Sequence, residues 1–265
     1  MINLFEFLNR LKKIFQLIEF NIESLIWYGP TSPSELKKIK INKCIISPNL
    51  NNDAISASIQ EKAEVILLFY PWFSNRIIDK LYKKIRILND RNICIIEVPK
   101  NFFSISFGIH ERIGSLLKLK LISLFHFKNF ESGRIFEPHQ QNYNFQHLIN
   151  LVSDTFNLKY INYICPSNKI DNSIEKVLVY VEKIPTVDLI IECYRQKIDT
   201  IICSSIDFFT AMAADDYDIN VCNISFNWLN IILQQLVTHD LELEIPEIQS
   251  FFVPSTLPIK IFSPK

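Results

Sequence analysis

The feature that most limits the fold is a repeated alternation of short, uninterrupted apolar runs with segments of helical periodicity. In the first half, Lys43–Ser47 (KCIIS), residues 63–69 (AEVILLF) and residues 93–96 are such runs, separated by helical segments at 53–62 and 76–89. Runs without polar alternation predict strands covered on both faces. Strands joined through helices predict parallel crossover units. The second half repeats the design with strands at 176–181 (KVLVYV), 199–203 (DTIIC) and 220–224 (NVCNI), and helices at 187–196 and 208–214. In each half a basic residue opens the first strand and an acid opens the second, and the pairs Lys43/Glu64 and Lys176/Asp199 have nearly equal spacing. The expectation is an α/β fold of two pseudo-symmetric lobes, with mostly parallel strands and crossover helices. Residues 132–146 (SGRIFEPHQQNYNFQ) are polar and contain chain breakers, which places a linker around 125–146 and the lobes at 1–125 and 126–265, with a helix at 148–156 opening the second.

Composition removes several function classes. The 28 basic and 28 acidic residues cancel, so no positive field collects nucleic acid or anionic lipid, and neither is an expected partner. Only 4 glycines occur, and neither a P-loop nor a GxGxxG fingerprint is present to cradle phosphate. Cys44, Cys94, Cys165, Cys193, Cys203 and Cys222 are far apart in the sequence and mostly within apolar runs, which predicts buried free thiols in a reducing compartment. The N-terminal MINLFEFLNRLKKIFQLIEF interrupts its apolar residues with Glu6, Arg10, Lys12 and Lys13, so it reads as an amphipathic helix rather than a signal peptide. No uncharged apolar run approaches the ~18 residues of a membrane span. A cytoplasmic protein is expected.

In such a sheet, ligands belong beyond the carboxyl ends of the strands. Four ends can be read: Phe69-Tyr70-Pro71, residues 97–101 (EVPKN), residues 204–209 (SSIDFF) and residues 225–230 (SFNWLN). Around them lies an ordered series of segments. Ser24-Leu25-Ile26 resembles a GLL segment, Pro48-Asn49-Leu50-Asn51 a loop carrying DLT, and residues 62–67 (KAEVIL) a KADLIL strand that runs into Phe69-Tyr70-Pro71-Trp72-Phe73, where YHPxxF is expected. Gly108-Ile109-His110-Glu111 resembles GVND, and Gly133-Arg134 resembles GR. Lys197-Ile198-Asp199 resembles GAD, and Asp218-Ile219-Asn220-Val221 resembles GINV. In this order and spacing the chain resembles the NIF-three-like family, also called the dinuclear metal centre family or GTP cyclohydrolase I type 2 homologues, from about Leu25 to about Leu236.

The resemblance implies a pair of metal ions held by imidazoles and carboxylates. Position by position, the ligands fall on Phe69, Tyr70, Asn101, Phe226 and Asn230, none of which is a strong ligand. Shifting the register does not help, because the 5 histidines are His110, His126, His139, His147 and His239, and none lies between 147 and 239. Phe69, Tyr70, Trp72, Phe208, Phe209, Phe226 and Trp228 are expected to fill and dry the cleft instead. Glu97, His110 and Asp207 are the residual polar candidates, with Asp207 also suited to cap the following helix. In His110-Glu111-Arg112, successive helical side chains point in different directions.

The expected protein is therefore a catalytically inactive member without cofactor, acting as a scaffold or protein-interaction module. The resemblance further implies ring-like homo-oligomers built of dimers, and links of eukaryotic members to transcriptional regulators, hence a nuclear location besides the cytoplasmic one. Two alternatives stand beside it: a divergent metal-dependent hydrolase with a site rearranged around Glu97, Asp207 or His110, and a small-molecule binder using an aromatic cleft between the lobes.

Overall fold

The computed structural model describes residues 1–17, 20–69, 78–128, 130–140, 143–166 and 170–255. In chain order the elements are β1 (Ile2–Asn3), α1 (Leu4–Ile14), α2 (Ile22–Leu25), β2 (Ile26–Tyr28), α3 (Pro33–Leu36), β3 (Lys40–Ile41), β4 (Lys43–Ser47), α4 (Asn52–Gln60), β5 (Val65–Leu68), α5 (Ile78–Asn89) and β6 (Cys94–Glu97). There follow α6 (Ile109–Leu116), β7 (Leu119–Phe127), β8 (Phe130–Pro138), α7 (Phe145–Phe156), β9 (Asn162–Ile164), β10 (Val177–Tyr180), α8 (Val187–Arg195), β11 (Thr200–Cys203), α9 (Phe208–Asp216), β12 (Asn220–Asn223), α10 (Asn227–Leu236) and β13 (Gln249–Phe252).

The chain forms two compact units, one from residues 1–102 and 229–265, the other from residues 103–228. The expected boundary at 125/126 falls inside β7, and the expected linker takes in the end of β7, all of β8 and the start of α7. One of its polar residues is buried in an ion pair: Arg134 donates from Nε to Glu111 at 2.9 Å and donates to the carbonyl of Ser104. Gly133, beside it, sits where an added Cβ would lie 2.8 Å from the Val179 carbonyl oxygen, so the close approach of β8 to β10 excludes a side chain.

In the first unit the strand order is β13-β4-β5-β6-β2, with β13, β4, β5 and β6 parallel and β2 antiparallel. Every residue of β5 is buried, as its continuous apolar run predicts. The N-terminal helix forms as its sequence predicts, with Asn3 Oδ1 accepting from the Glu6 N–H and Leu4, Phe7, Leu8 and Leu11 turned inward.

In the second unit the order is β7-β8-β10-β11-β12-β9; β10, β11 and β12 are parallel and the flanking strands antiparallel. Leu178, Ile201 and Val221 on adjacent strands form a core with Leu189, Ile190 and Cys193 of α8. None of the six cysteines is in a disulfide, and all but Cys165 are buried.

The two units share local construction. Glu64 accepts the N–H groups of Asn42 and Lys43 at 3.1 and 3.0 Å, and Asp199 accepts those of Glu175 and Lys176 at 2.7 and 3.0 Å. In each case a carboxylate ahead of one parallel strand ties down the entrance of its neighbour. The helix ends match as well. Lys62, Asn92, Lys197 and Asp218 are left-handed, with φ of 55°, 55°, 56° and 54°. The next residue in each case donates back to the helix, as in Ala63 to Ser58 and Ile198 to Cys193, both 2.9 Å.

Candidate functional site

At the carboxyl end of the first sheet, Phe69 follows β5 directly and is buried among rings, 5.4 Å from Phe15 and 6.0 Å from Phe102 between centroids. Phe15 and Phe102 close the triangle at 4.8 Å. Tyr70, Pro71, Trp72 and Phe73 lie outside the described residues. Asn101 belongs to the short 3-10 turn Lys100–Phe103, its side chain outside the described set. Glu97 ends β6 half-buried, and burial raises its carboxyl above the usual range against the opposing pull of Lys100.

Asn230 comes from α10. Its Nδ2 donates to the carbonyl of Ser255 and its Oδ1 accepts the Ser255 N–H, both at 2.9 Å. Asn49 Nδ2 donates to Ser255 Oγ at 3.0 Å, and Asn51, which caps α4 through the Ala54 N–H at 2.7 Å, also reaches the Pro254 carbonyl at 3.5 Å. Asparagine suits this work because one amide supplies both a donor and an acceptor. The result is a polar clamp on the chain that leaves β13. Sequence reasoning missed it, because the partner of Asn230 lies 25 residues downstream and no local pattern links the two.

In the second unit, Phe226 occupies the turn between β12 and α10, half-buried. Trp228 is fully buried and meets Phe103 edge-on at 6.1 Å. Phe208 and Phe209 do not fill a cleft, contrary to expectation, because they are exposed. The physical cause is the cap: Asp207 accepts the Thr210 N–H at 2.9 Å, which starts α9 with Thr210 inward and the two phenylalanines outward.

His110 is buried on α6. Its Nε2 accepts the Val181 N–H at 3.4 Å, which leaves the proton on Nδ1, and burial together with the Arg134 charge lowers its pKa to about 3. Its neighbours turn elsewhere: Glu111 binds Arg134 and the Phe107 N–H, while Arg112 donates to the Phe107 carbonyl. Within this unit His110 and Asp207 serve separate partners and share no hydrogen bond. His110 here is a neutral anchor, and Asp207 a cap.

A dinuclear centre, which the motif order implies, needs several anionic or imidazole donors free to turn toward the ions. Phe69 and Phe226 offer phenyl rings, and both polar atoms of the Asn230 amide are committed to Ser255. These side chains do not fit a metal pair. Among the described residues, no group of three His, Cys, Asp or Glu is placed to hold a metal ion. A groove of about 380 Å3 lined by Lys62, Glu64 and Asn92 lies at the amino ends of the first sheet's strands, the end opposite the one where such sheets bind ligands. No helix among the described residues is long and apolar enough to cross a membrane.

No curated protein sequence matches the chain. Solved structures do. HcgD from Methanocaldococcus jannaschii, in its reduced form, is 14% identical with a TM-score of 0.76, the match covering 95% of this chain and 97% of that one. The Staphylococcus aureus hypothetical protein SA1388 is 11% identical with a TM-score of 0.75 over 98% and 99% of the two chains. A Bacillus cereus protein related to NIF3 is also 11% identical, with a TM-score of 0.74 over the same shares. Identities this low carry the fold alone. The sequence itself matches the model of the Duf34/NIF3 (NGG1p interacting factor 3) family over residues 35–258, and with motif order, paired sheets and this match in agreement, the chain belongs to that family.

Proposed function

We propose that this chain is a non-catalytic member of its family, a scaffold or protein-interaction module whose ancestral metal site has been given over to packing and to holding its own C-terminal segment. The observation that carries this reading is the double hydrogen bond of Asn230 with Ser255, since it occupies both polar atoms where the family pattern calls for a carboxylate ligand. The buried ring cluster at Phe69 supports it, because a bare cation beside three phenyl groups loses its water without gaining a donor. The family's description as an interacting factor points the same way. On this reading the chain needs no cofactor, assembles as a homo-oligomer, and works in the cytoplasm or nucleus, with a link to transcriptional regulators.

Metal analysis tests it. Protein purified without chelator or added metal is expected to carry well under one equivalent of zinc, iron, manganese or nickel per chain. Stoichiometric metal retained through gel filtration would overturn the reading.

A further inference from the structure

Helix α9 is built inside out. Its buried residues are the small ones, Thr210, Ala213 and Ala214, while Phe208, Phe209 and Met212 are 71%, 76% and 51% exposed. A surface helix normally turns its large apolar residues to the core. The two phenyl rings meet edge-on at 5.7 Å, forming one apolar surface. Thr210 Oγ1 lies 2.9 Å from Asp207 Oδ2 and 3.2 Å from the Pro185 carbonyl oxygen, so the loop that follows Ile184, itself 53% exposed, meets the first turn of the helix. Exposed aromatic and methionine side chains in a contiguous patch have the composition of an interface centre.

The charge around the patch selects its occupant. Asp207 stands at the amino end of α9 and Asp215 and Asp216 at the other, all exposed. Neither Asp215 nor Asp216 has an ion-pair partner among the described residues. Two copies packed face to face through α9 about a two-fold axis would bring either the Asp207 end of one toward Asp215 and Asp216 of the other or like ends together, and in both arrangements like charges oppose. An anionic lipid surface meets the same repulsion. We propose that the outer face of α9 docks a cationic amphipathic helix of a partner protein, with apolar anchors on Phe208, Phe209 and Met212 and flanking lysine or arginine beside Asp215 and Asp216. This inference rests on the protein-interaction reading and names the surface and the chemistry of its partner. Helix-in-groove recognition supplies the spacing, with anchors at i, i+3 or i+4, and i+7.

The test uses the full chain and two fluorescently labelled helical peptides of about 14 residues, with leucine at the anchor spacing. One carries lysine at the remaining positions and the other glutamate. The lysine peptide is expected to bind at least about tenfold more tightly than the glutamate peptide. Binding should fall at least about tenfold in the Phe208→Ser/Phe209→Ser double variant, whose positions are exposed and whose fold is checked by circular dichroism. The Asp215→Asn/Asp216→Asn variant should weaken it several-fold at low salt and little at high salt. Equal binding of both peptides, absence of lysine-peptide binding at about millimolar concentration, or undiminished binding by the double serine variant would overturn the proposal. So would self-association abolished by those serines, which would make a second copy the occupant, or attachment to anionic vesicles alone. Metal analysis on the same preparation keeps the two ideas apart, since metal-free protein that ignores the peptide sinks this surface only.

Discussion

Asn230 and Ser255 exchange two hydrogen bonds of 2.9 Å, amide nitrogen to carbonyl and amide oxygen to backbone N–H, across 25 residues of chain. Asn230→Asp preserves shape and the acceptor but removes the donor, so a carboxylate oxygen would face the Ser255 carbonyl. We expect a loss of about 1–3 kcal/mol in denaturant unfolding. Adding zinc or manganese to this variant should recover none of it, since a single carboxylate makes no metal site.

The ion pair of Glu111 with Arg134 joins two motif segments far apart in sequence. Arg134 is almost entirely buried, so removing its partner strands a charge. Glu111→Gln is expected to destabilise by about 3–5 kcal/mol, whereas replacing both with apolar residues of similar volume should cost much less. A double-mutant cycle measured by urea unfolding would expose that non-additivity.

His110 makes stability depend on acid. Its pKa in the folded chain is about 3, against an ordinary value of 6.5, so the unfolded chain binds the extra proton between these limits. The stability that the neutral ring supports is fully present above pH 6.5 and is lost as pH falls toward 3. His110→Gln retains an acceptor for the Val181 N–H and does not titrate. Unfolding midpoints measured across this range should slope less steeply for the variant.

Lys62 and Lys197 hold left-handed backbone with φ of 55° and 56° at the ends of corresponding helices. A residue with a Cβ loses roughly 1–2 kcal/mol in that region. Lys62→Gly and Lys197→Gly are each expected to raise stability by about 1 kcal/mol net of glycine's added chain entropy. Lys→Ala at the same sites should gain nothing, and thermal denaturation would separate the two outcomes.

The parallel strands were legible because β4, β5, β10 and β11 carry unbroken apolar runs, a pattern that burial on both faces imposes. The hairpin of β7 and β8 was not, because its interior holds Ser132, Gly133 and Arg134 while Leu121, Ile122 and Leu124 are exposed. Its pattern runs against the usual rule. The outward turn of Phe208 and Phe209 was also hidden, since residues 208–214 are apolar on every side and only the hydrogen bond of Asp207 to Thr210 fixes which face is inward. The chemistry of the ligand positions could be read as residue types. What those positions do now depended on partners such as Ser255, which no local pattern announces.

The pairing of β13 with β4 also sets an order of events during synthesis. Lys43 aligns with Gln249, so the first sheet cannot be completed until residues 249–252 have been made, about two hundred residues after β4. The second unit, continuous from 103 to 228, emerges with all its strands in hand and has no such wait. Until translation reaches β13, the ribosome carries a finished insert within an unfinished host, and the outer edge of β4 stays open to any nascent-chain chaperone that binds exposed strands.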